Sequence, residues 1–302
     1  MPNKRKSFTK YLESLYVQPE KKISVENNFH TDYDQKMVTK AEGEKILAEG
    51  IKNLAVMQDK LYAHDQYSVL IVLQAMDAAG KDGAIKHVMS GLNPQGVKVA
   101  SFKVPSKNEL DHDYFWRHYL ALPSRGEIGI FNRSHYENVL VTRVHPEYIL
   151  NENLPDVKSV KDIDKKFWEK RYKQIRRFEN NLVENGTIIL KFFLHVSRDE
   201  QKKRFLERID NPAKNWKFSL ADAQERQHWD KYMDAYSEML SATSQKHAPW
   251  FVLPADDKWF TRLCIGALIY FQFERLKLRY PAVSKEQKAK LQEAKKQLLN
   301  EK

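Results

Sequence analysis

A short segment, residues 75–83, contains the residue types that hold phosphate groups. It has the sequence AMDAAGKDG and comes directly after the apolar run SVLIVLQ of residues 68–74. Small residues let backbone N–H groups close around phosphate oxygens, and a following helix adds the positive end of its dipole. Lys81 adds a full positive charge. The segment therefore predicts a strand, a phosphate-binding turn and a helix, which is the P-loop layout. A plain strand–turn–helix with an exposed lysine is the alternative.

The segment departs from the G-x-x-x-x-G-K-[ST] pattern at two positions. Ala75 replaces the first glycine, and Asp82 replaces the hydroxyl residue that would contact Mg²⁺. Because hard cations prefer oxygen ligands, Asp77, Asp82 and Glu137 are candidate metal ligands, and for Asp82 a helix cap or surface charge is the favoured interpretation. The residues predicted to line the phosphate site are Ala78, Ala79, Gly80, Asp82 and Gly83.

A second candidate site follows the predicted strand Glu127–Phe131. Residues 131–137 have the sequence FNRSHYE. The carboxyl ends of parallel strands line the ligand crevice of such folds. Asn132 therefore occupies a position that usually carries a metal-binding aspartate, and Arg133 is placed to clamp a phosphate. An ordinary surface arginine is the alternative for Arg133.

A third, basic cluster follows the predicted strand Thr187–Val196. Arg204 and Arg208 are four residues apart and share a helix face, and an Asn-Pro turn ends that helix. A basic helix followed by a Trp-bearing loop is suited to form a lid that excludes water from phosphates. A solvated basic helix face is the alternative. The candidate phosphate-binding residues here are Arg198, Lys202, Arg204, Arg208, Lys214 and Lys217.

Strands and helices that alternate along the chain must position these three clusters. This order predicts βαβ units and a mostly parallel sheet covered by helices on both faces. The predicted strands are Ser68–Gln74, Gly96–Phe102, Glu127–Phe131, Thr187–Val196 and Pro249–Leu253. The predicted helices are Met37–Ala63, Gly83–Leu92, Glu109–Leu122, Val160–Glu184 and Lys258–Leu278.

The bulk composition limits the remaining possibilities. A chain of 302 residues predicts one large α/β domain with appendages. We place an N-terminal extension at residues 1–35, the main domain at 36–283 with the lid at 198–226, and a charged tail, either a solvated helix or an arm, at 284–302. No apolar run is long enough for a membrane span, no signal peptide is evident, and the one cysteine, Cys264, predicts a buried thiol. A reducing, cytoplasmic setting is expected.

The net charge of +11 indicates a polyanionic partner, such as nucleic acid, an anionic membrane or a phosphate polymer. Four motifs narrow this choice: AMDAAGKDGAIKHVMSGLNPQG, FNRSHYENVLVTRVHP, HVSRDEQKKRFLERIDNPAKNWKFS and HAPWFVLPADDKWFTRLCI. In this order, and over about residues 53–281, the chain resembles the polyphosphate kinase 2 family. It looks most similar to the subgroup called class III.

The resemblance implies a P-loop nucleoside-triphosphate-hydrolase-like fold close to thymidylate kinase, with a helical lid. It implies reversible, Mg²⁺-dependent transfer of phosphate between inorganic polyphosphate and AMP or ADP, with Mn²⁺ as a possible substitute, and extension to GMP and GDP. Partners are then nucleoside mono- and diphosphates rather than nucleic acid or membrane, in a homodimer or homotetramer. By motif position, Asp77, Lys81 and Arg133 correspond to active-site residues. Many members have Asp where this chain has Asn132, so we assign Glu137 as the second metal ligand beside Asp77.

Two other functions remain open from the sequence. An ATP-dependent nucleoside monophosphate kinase would use the same loop. A nucleic-acid-binding protein would use the basic surface and bind with strong salt dependence, but it would leave the P-loop unexplained.

Overall fold

The computed structural model describes residues 2–33 and 37–301. Its centre is a five-stranded sheet in the order β2-β3-β1-β4-β5, with every neighbouring pair parallel. This confirms the predicted parallel α/β fold. The strands are β1 Ser68–Ala75, β2 Val97–Ser101, β3 Ile128–Asn132, β4 Thr187–His195 and β5 Trp250–Pro254.

Strand β1 lies in the middle of the sheet, and all of its residues are buried. A strand covered on both faces needs a continuous apolar run rather than an alternating one, and SVLIVLQ supplies it. Leu73 pairs with Asn132 of β3 on one side and with Phe192 of β4 on the other. The carboxyl ends of β1 and β3 therefore lie side by side. The chain leaves these two strands in opposite directions along the sheet, and parallel sheets bind their ligands at such a point.

Helices cover both faces of the sheet. The long helices near residues 40–64, 81–88 and 258–276 pack on one another, and those near 137–144, 165–184 and 229–243 form a second group. Strand β4 contacts a member of each group, so the sheet lies between two helical layers. The helices are α1 Pro2–Ser14, α2 Val25–Asn28, α3 Lys40–His64, α4 Lys81–Val88, α5 Lys107–Leu110, α6 Trp116–Tyr119, α7 Glu137–Val144, α8 Lys165–Glu184, α9 Arg198–Asp210, α10 Leu220–Glu225, α11 Trp229–Thr243, α12 Lys258–Leu276 and α13 Lys285–Asn300.

The N-terminal segment packs along the outer edge of β5. The Val17 N–H donates to the Trp250 carbonyl, and the Val252 N–H donates to the Leu15 carbonyl, both over 2.9 Å. Leu12, Leu15 and Val17 are buried. Further on, the Ile23 N–H donates to the Ser241 hydroxyl of α11. The segment expected as an extension therefore covers a sheet edge that would otherwise be free.

Several predicted helices differ from the observed ones in their bounds. The prediction of one helix over Glu109–Leu122 is wrong: α5 begins earlier, at a capping box formed by Ser106 and Glu109, and α6 is a separate turn. The Asp113 carboxylate accepts the Phe115 N–H and forms a turn between the two. The helix predicted from Val160 begins at Lys165, because Asp164 caps it through the Phe167 N–H.

The ends of the main domain show where the predicted boundaries fall. Helix α3 begins after Thr39, which forms a capping box with Glu42, rather than at Met37. The boundary placed between residues 35 and 36 lies outside the described residues. Helix α13 is exposed along its whole length, as expected for a solvated helical tail. Within the described ranges, no helix combines the length and the apolar character that crossing a membrane would require.

Candidate active site

The turn between β1 and α4, residues 76–80, forms a loop with an unusual backbone and is called the phosphate loop below. Ala78 and Gly80 both lie in the left-handed region, with φ of 60° and 109°. Gly80 is the residue directly before α4, and only glycine adopts its φ without strain. Left-handed residues alternating with right-handed ones turn successive N–H groups to one side and form a concave anion site. These two left-handed residues are compatible with the predicted phosphate-binding turn.

Lys81 is the first residue of α4, and its side chain folds back toward the end of β1. Its ammonium donates to the Ala75 carbonyl over 2.9 Å, with the Met76 carbonyl at 3.5 Å. Burial lowers the pKa of Lys81, while the nearby carboxylates of Asp77 and Glu137 raise it. These carboxylates offset part of the cost of burying the charge, so a cation is held at the mouth of the phosphate loop.

The end of β3 is joined to this loop by two polar pairs. The Asn132 amide donates to the Asp82 carboxylate over 2.8 Å, and the Arg133 guanidinium donates to the Asp77 carboxylate over 2.7 Å. Arg133 has a φ of 62°, which is uncommon for a residue that carries a Cβ. Non-glycine residues in this region cluster at ligand sites, where surrounding contacts must hold them. The structure thus brings Asp77, Asp82, Asn132 and Arg133 together.

Glu137 begins α7 beside the same cluster. Burial raises the pKa of its carboxyl group, and Asp77 raises it further, while Arg133 and Lys81 lower it. The pKa is raised overall, because burial outweighs the two nearby cations. A perturbed carboxyl group in a polar crevice is a frequent mark of a functional site.

A buried polar network holds the segment that carries Glu137. The Tyr136 hydroxyl donates to Glu179 over 2.6 Å and accepts from the Lys191 ammonium over 2.8 Å. Lys191 also donates to Glu179 and to the Thr243 carbonyl. Burial alone raises the pKa of Glu179, but the adjacent Lys191 lowers it overall. Because each partner is satisfied, the network fixes the start of α7, β4, α8 and α11 relative to one another.

The structure gives Arg204 a different position from the one predicted for a phosphate-binding lid residue. Its side chain is buried, and its five N–H groups bind protein acceptors. In this arrangement, no donor is left for a phosphate, because a guanidinium has only five. Arg204 and Arg208 share a helix face but differ in burial: Arg204 is buried, and Arg208 is partly exposed.

The other predicted lid cations are at the surface. Lys202 lines an open groove of about 400 Å³ on the outer side of α9, together with three acidic residues, so the structure does not bring it to the phosphate loop. Arg198 is exposed at the start of α9. Lys214 lies 4.0 Å from Glu207, and the Lys217 ammonium lies 4.9 Å from the centre of the exposed Trp216 ring.

Three residues in the lid region were missed by the sequence reasoning. Gln201 and Arg226 connect α9 to the phosphate loop and to the end of the lid. Asp222 of α10 faces the site: burial and Asp77 raise the pKa of Asp222, whereas Arg133, Arg208 and Lys81 lower it. Periodicity gave no signal for them, because a glutamine or an acid within a basic lid has the pattern of an ordinary surface residue.

Comparison with known proteins agrees with this geometry. The family model for polyphosphate kinase 2 matches residues 37–279. The chain belongs to the polyphosphate kinase 2 family. The match includes the phosphate loop, the end of β3 and the whole lid, so the three clusters described above lie within the family region.

Two named relatives are similar to this chain over most of its length. An ADP-polyphosphate phosphotransferase of Rhodopseudomonas palustris is 51% identical over 84% of this chain and 87% of its own. An AMP/ADP-polyphosphate phosphotransferase of Meiothermus ruber is 47% identical over 76% of this chain and 80% of its own. The crystal structure of polyphosphate kinase 2 from Arthrobacter aurescens has a TM-score of 0.78 and 37% identity, covering 92% of this chain and 98% of that one.

Two acids at the site have the donor chemistry that a magnesium ion prefers. Across residues 2–33 and 37–301, no three His, Cys, Asp or Glu side chains are grouped so that they could hold a metal ion by themselves. Asp77 and Glu137 nevertheless act on the same Lys81 and Arg133. Mg²⁺ bound with phosphates commonly takes one or two carboxylates and completes its octahedron with phosphate oxygens and water. Asp77 and Glu137 match that donor set.

Proposed function

We propose that the protein transfers phosphate reversibly between inorganic polyphosphate and the nucleotides AMP and ADP. The observation that carries this proposal is the convergence of Lys81, Asp77, Arg133 and Glu137 at the ends of β1 and β3, in a chain whose family is polyphosphate kinase 2. The names of the two relatives, one acting on ADP and the other on AMP and ADP, support both acceptors.

These residues would align the reacting phosphate groups and neutralise their negative charge. Phosphoryl transfer proceeds through a loose transition state whose charge is spread over the equatorial oxygens. The N–H groups of the phosphate loop and the Lys81 ammonium bind phosphate oxygens on one side. Arg133, released from Asp77, binds them on the other. The outer lid, residues 211–220, then covers the reacting groups and excludes water, which prevents loss of phosphate to hydrolysis.

We assign Asp77 and Glu137 as the residues that hold Mg²⁺. The ion would supply neutralisation of charge on the phosphate groups of the substrate. Asp77→Asn should raise the Mg²⁺ concentration needed for half-maximal activity by about tenfold or more, since a neutral amide is a poor ligand for a hard cation. An unchanged Mg²⁺ titration would remove Asp77 from the metal site. Mn²⁺ is expected to substitute, because it accepts the same oxygen ligands.

The donor decides between this proposal and an ATP-dependent monophosphate kinase. Purified protein is incubated with Mg²⁺, polyphosphate and AMP or ADP, with no ATP added, and products are separated by chromatography. Formation of ADP and ATP, absent with Lys81→Ala protein, is the expected result. Activity that requires ATP as donor would favour the kinase. Parallel reactions with GMP and GDP test the extension to guanine nucleotides.

The assembly is part of the same proposal. We expect a homodimer or homotetramer in the cytoplasm, acting on small nucleotides and polyphosphate rather than on nucleic acid or membranes. Light scattering of the purified protein measures the mass directly. A gel-shift assay with duplex DNA at physiological salt is expected to show no specific complex, whereas a tight, salt-sensitive shift would support the nucleic-acid-binding alternative.

A further inference from the structure

The carbonyl groups of the phosphate loop are held from behind by one helix. The Gln201 side-chain amide donates to the Asp77 carbonyl over 2.9 Å. The Arg204 guanidinium donates from one nitrogen to the carbonyls of Ala78 and Ala79, over 3.1 and 2.9 Å. Three successive carbonyls of the loop thus accept hydrogen bonds from α9. The C=O and N–H groups of one peptide lie in the same rigid plane and point in opposite directions. Fixing each carbonyl therefore also fixes where the N–H of the next residue points.

Arg204 ties the loop to a second strand end. Its other terminal nitrogen donates to the carbonyls of Ala255 and Asp256, over 2.7 and 2.9 Å, directly after β5. Its Nε donates to Glu200 over 2.8 Å. The side chain is only 3% exposed. A planar fork of five donors fits this set of five acceptors, and an ammonium group with three donors on a flexible stem does not.

Gln201 continues the contact to the far end of the lid. Its side-chain oxygen accepts from the Arg226 guanidinium over 2.5 Å, and the same nitrogen of Arg226 lies 3.1 Å from the Arg198 carbonyl. The lid begins at Arg198, and it ends at Arg226, which lies in a 3-10 turn of residues 226–228. The two ends of the lid therefore meet at Arg226, and its partner Gln201 donates in turn to the phosphate loop.

We propose that Gln201, Arg204 and Arg226 form a positioning relay that shapes the phosphate loop and couples that shape to the position of the lid. Arg204 acts on the loop carbonyls and touches no phosphate. Movement of the lid at Arg226 changes the hold of Gln201 on Asp77, whose side chain is one of the assigned metal ligands. The inference deepens the proposed function, and it applies to any phosphate ligand that the loop binds.

The first experiment separates positioning from charge at residue 204. Arg204→Lys keeps the positive charge and loses the planar fork. The dissociation constant of inorganic tripolyphosphate is measured by calorimetry with and without Mg²⁺, and kcat is measured with AMP. Displacement of groups by about 1 Å can cost on the order of a hundredfold, so we expect at least a tenfold loss in both quantities. Wild-type binding and turnover in Arg204→Lys would overturn the role.

The second experiment tests the link to the lid and stands even if Arg204→Lys does not fold. Gln201→Met, Arg226→Met and the double variant form a double-mutant cycle, read as tripolyphosphate affinity. A relay predicts that Arg226→Met weakens binding severalfold in the wild-type background and has almost no effect once Gln201 is replaced. Additive effects would overturn the coupling.

Gln224→Met is the matched control, because Gln224 is an exposed glutamine of α10 in the same lid. It should leave affinity, kcat and thermal unfolding unchanged. The test of the relay does not depend on which phosphate donor the protein uses. If wild-type protein proves to use ATP rather than polyphosphate, the proposed function fails, while the same variants compared with ATP as ligand still decide the relay.

Discussion

In the phosphate loop, three successive carbonyls accept hydrogen bonds from buried side chains, whereas in the outer lid, residues 211–220, most side chains lie in solvent. Trp216 at the lid tip is 77% exposed. The difference separates two tasks. Alignment of the reacting phosphate needs groups fixed before the substrate arrives. Holding a long, featureless polyanion needs several cations that can adapt, and loosely packed surface segments provide them.

The largest effect is expected where a single fixed charge has no substitute. Lys81→Ala should lower kcat by about a hundredfold or more, which is the usual loss when one preorganised charge is removed from a phosphate or oxyanion site. Circular dichroism and thermal unfolding should match wild type, because the Lys81 ammonium bonds only to the carbonyls at the end of β1. A variant that keeps more than about a tenth of wild-type kcat would place the essential charge elsewhere.

A smaller effect is expected at the pair that joins β3 to α4. Asn132→Asp would replace the 2.8 Å hydrogen bond to Asp82 by two facing carboxylates. Two like charges about 4 Å apart repel by on the order of 4 kcal/mol at an effective dielectric of 20, unless a cation lies between them. A cation there would be shared with the acceptor phosphates. We therefore expect the ratio of kcat/KM for AMP and ADP to shift by about tenfold, or about 1.4 kcal/mol.

The companion variant identifies the cause of that shift. Adding Asp82→Asn to Asn132→Asp exchanges the two partners and restores a hydrogen bond between an amide and a carboxylate. The AMP-to-ADP ratio should return toward the wild-type value in this double variant. If the ratio never shifts, or if the exchange fails to restore it, the Asn132–Asp82 pair does not govern the choice of acceptor.

Elsewhere in the lid, away from the buried Arg204, each cation should matter less. Arg208→Ala should weaken polyphosphate binding severalfold and flatten the plot of log affinity against log salt by about 0.7 to 0.9, the value found per contact for nucleic acids. Arg275→Ala is the matched control, because Arg275 is an exposed arginine at the opposite end of α12 from the site. Identical salt slopes for Arg208→Ala and wild type would return Arg208 to an ordinary solvated position.

The smallest effect concerns stability, and here the substitution is expected to stabilise the protein rather than to impair it. Because the pKa of Glu137 is raised in the folded protein, the folded state favours the protonated form, and this contribution is lost as pH rises through the folded pKa. Glu137→Gln should therefore unfold at a higher temperature than wild type in EDTA, with a gap that widens as pH rises from the ordinary glutamate pKa through the raised folded pKa. Thermal unfolding by calorimetry measures this gap. A gap that narrows with rising pH would contradict the raised pKa.

The contrast between loop and lid also explains what the sequence could predict. The run SVLIVLQ, the small-residue turn and Lys81 lie next to one another in the chain, so local pattern was enough to predict strand, loop and helix. Arg204 and Arg208 have the same local pattern, yet only Arg204 is inside. Its acceptors Ala78 and Ala79 lie 126 and 125 residues away, and no periodicity shows which arginine will meet them.

The N-terminal segment along β5 has a consequence for how the molecule folds. Its hydrogen bonds from Ile23 and Val25 join residues 218 and 212 positions apart. Contacts that close such long loops form late, because the chain entropy is lost before the contact is gained. During synthesis, Leu12, Leu15 and Val17 leave the ribosome long before β5, so their partner strand is not yet present. The outer edge of β5 is therefore completed late, and until then these apolar residues remain open to association with another nascent chain.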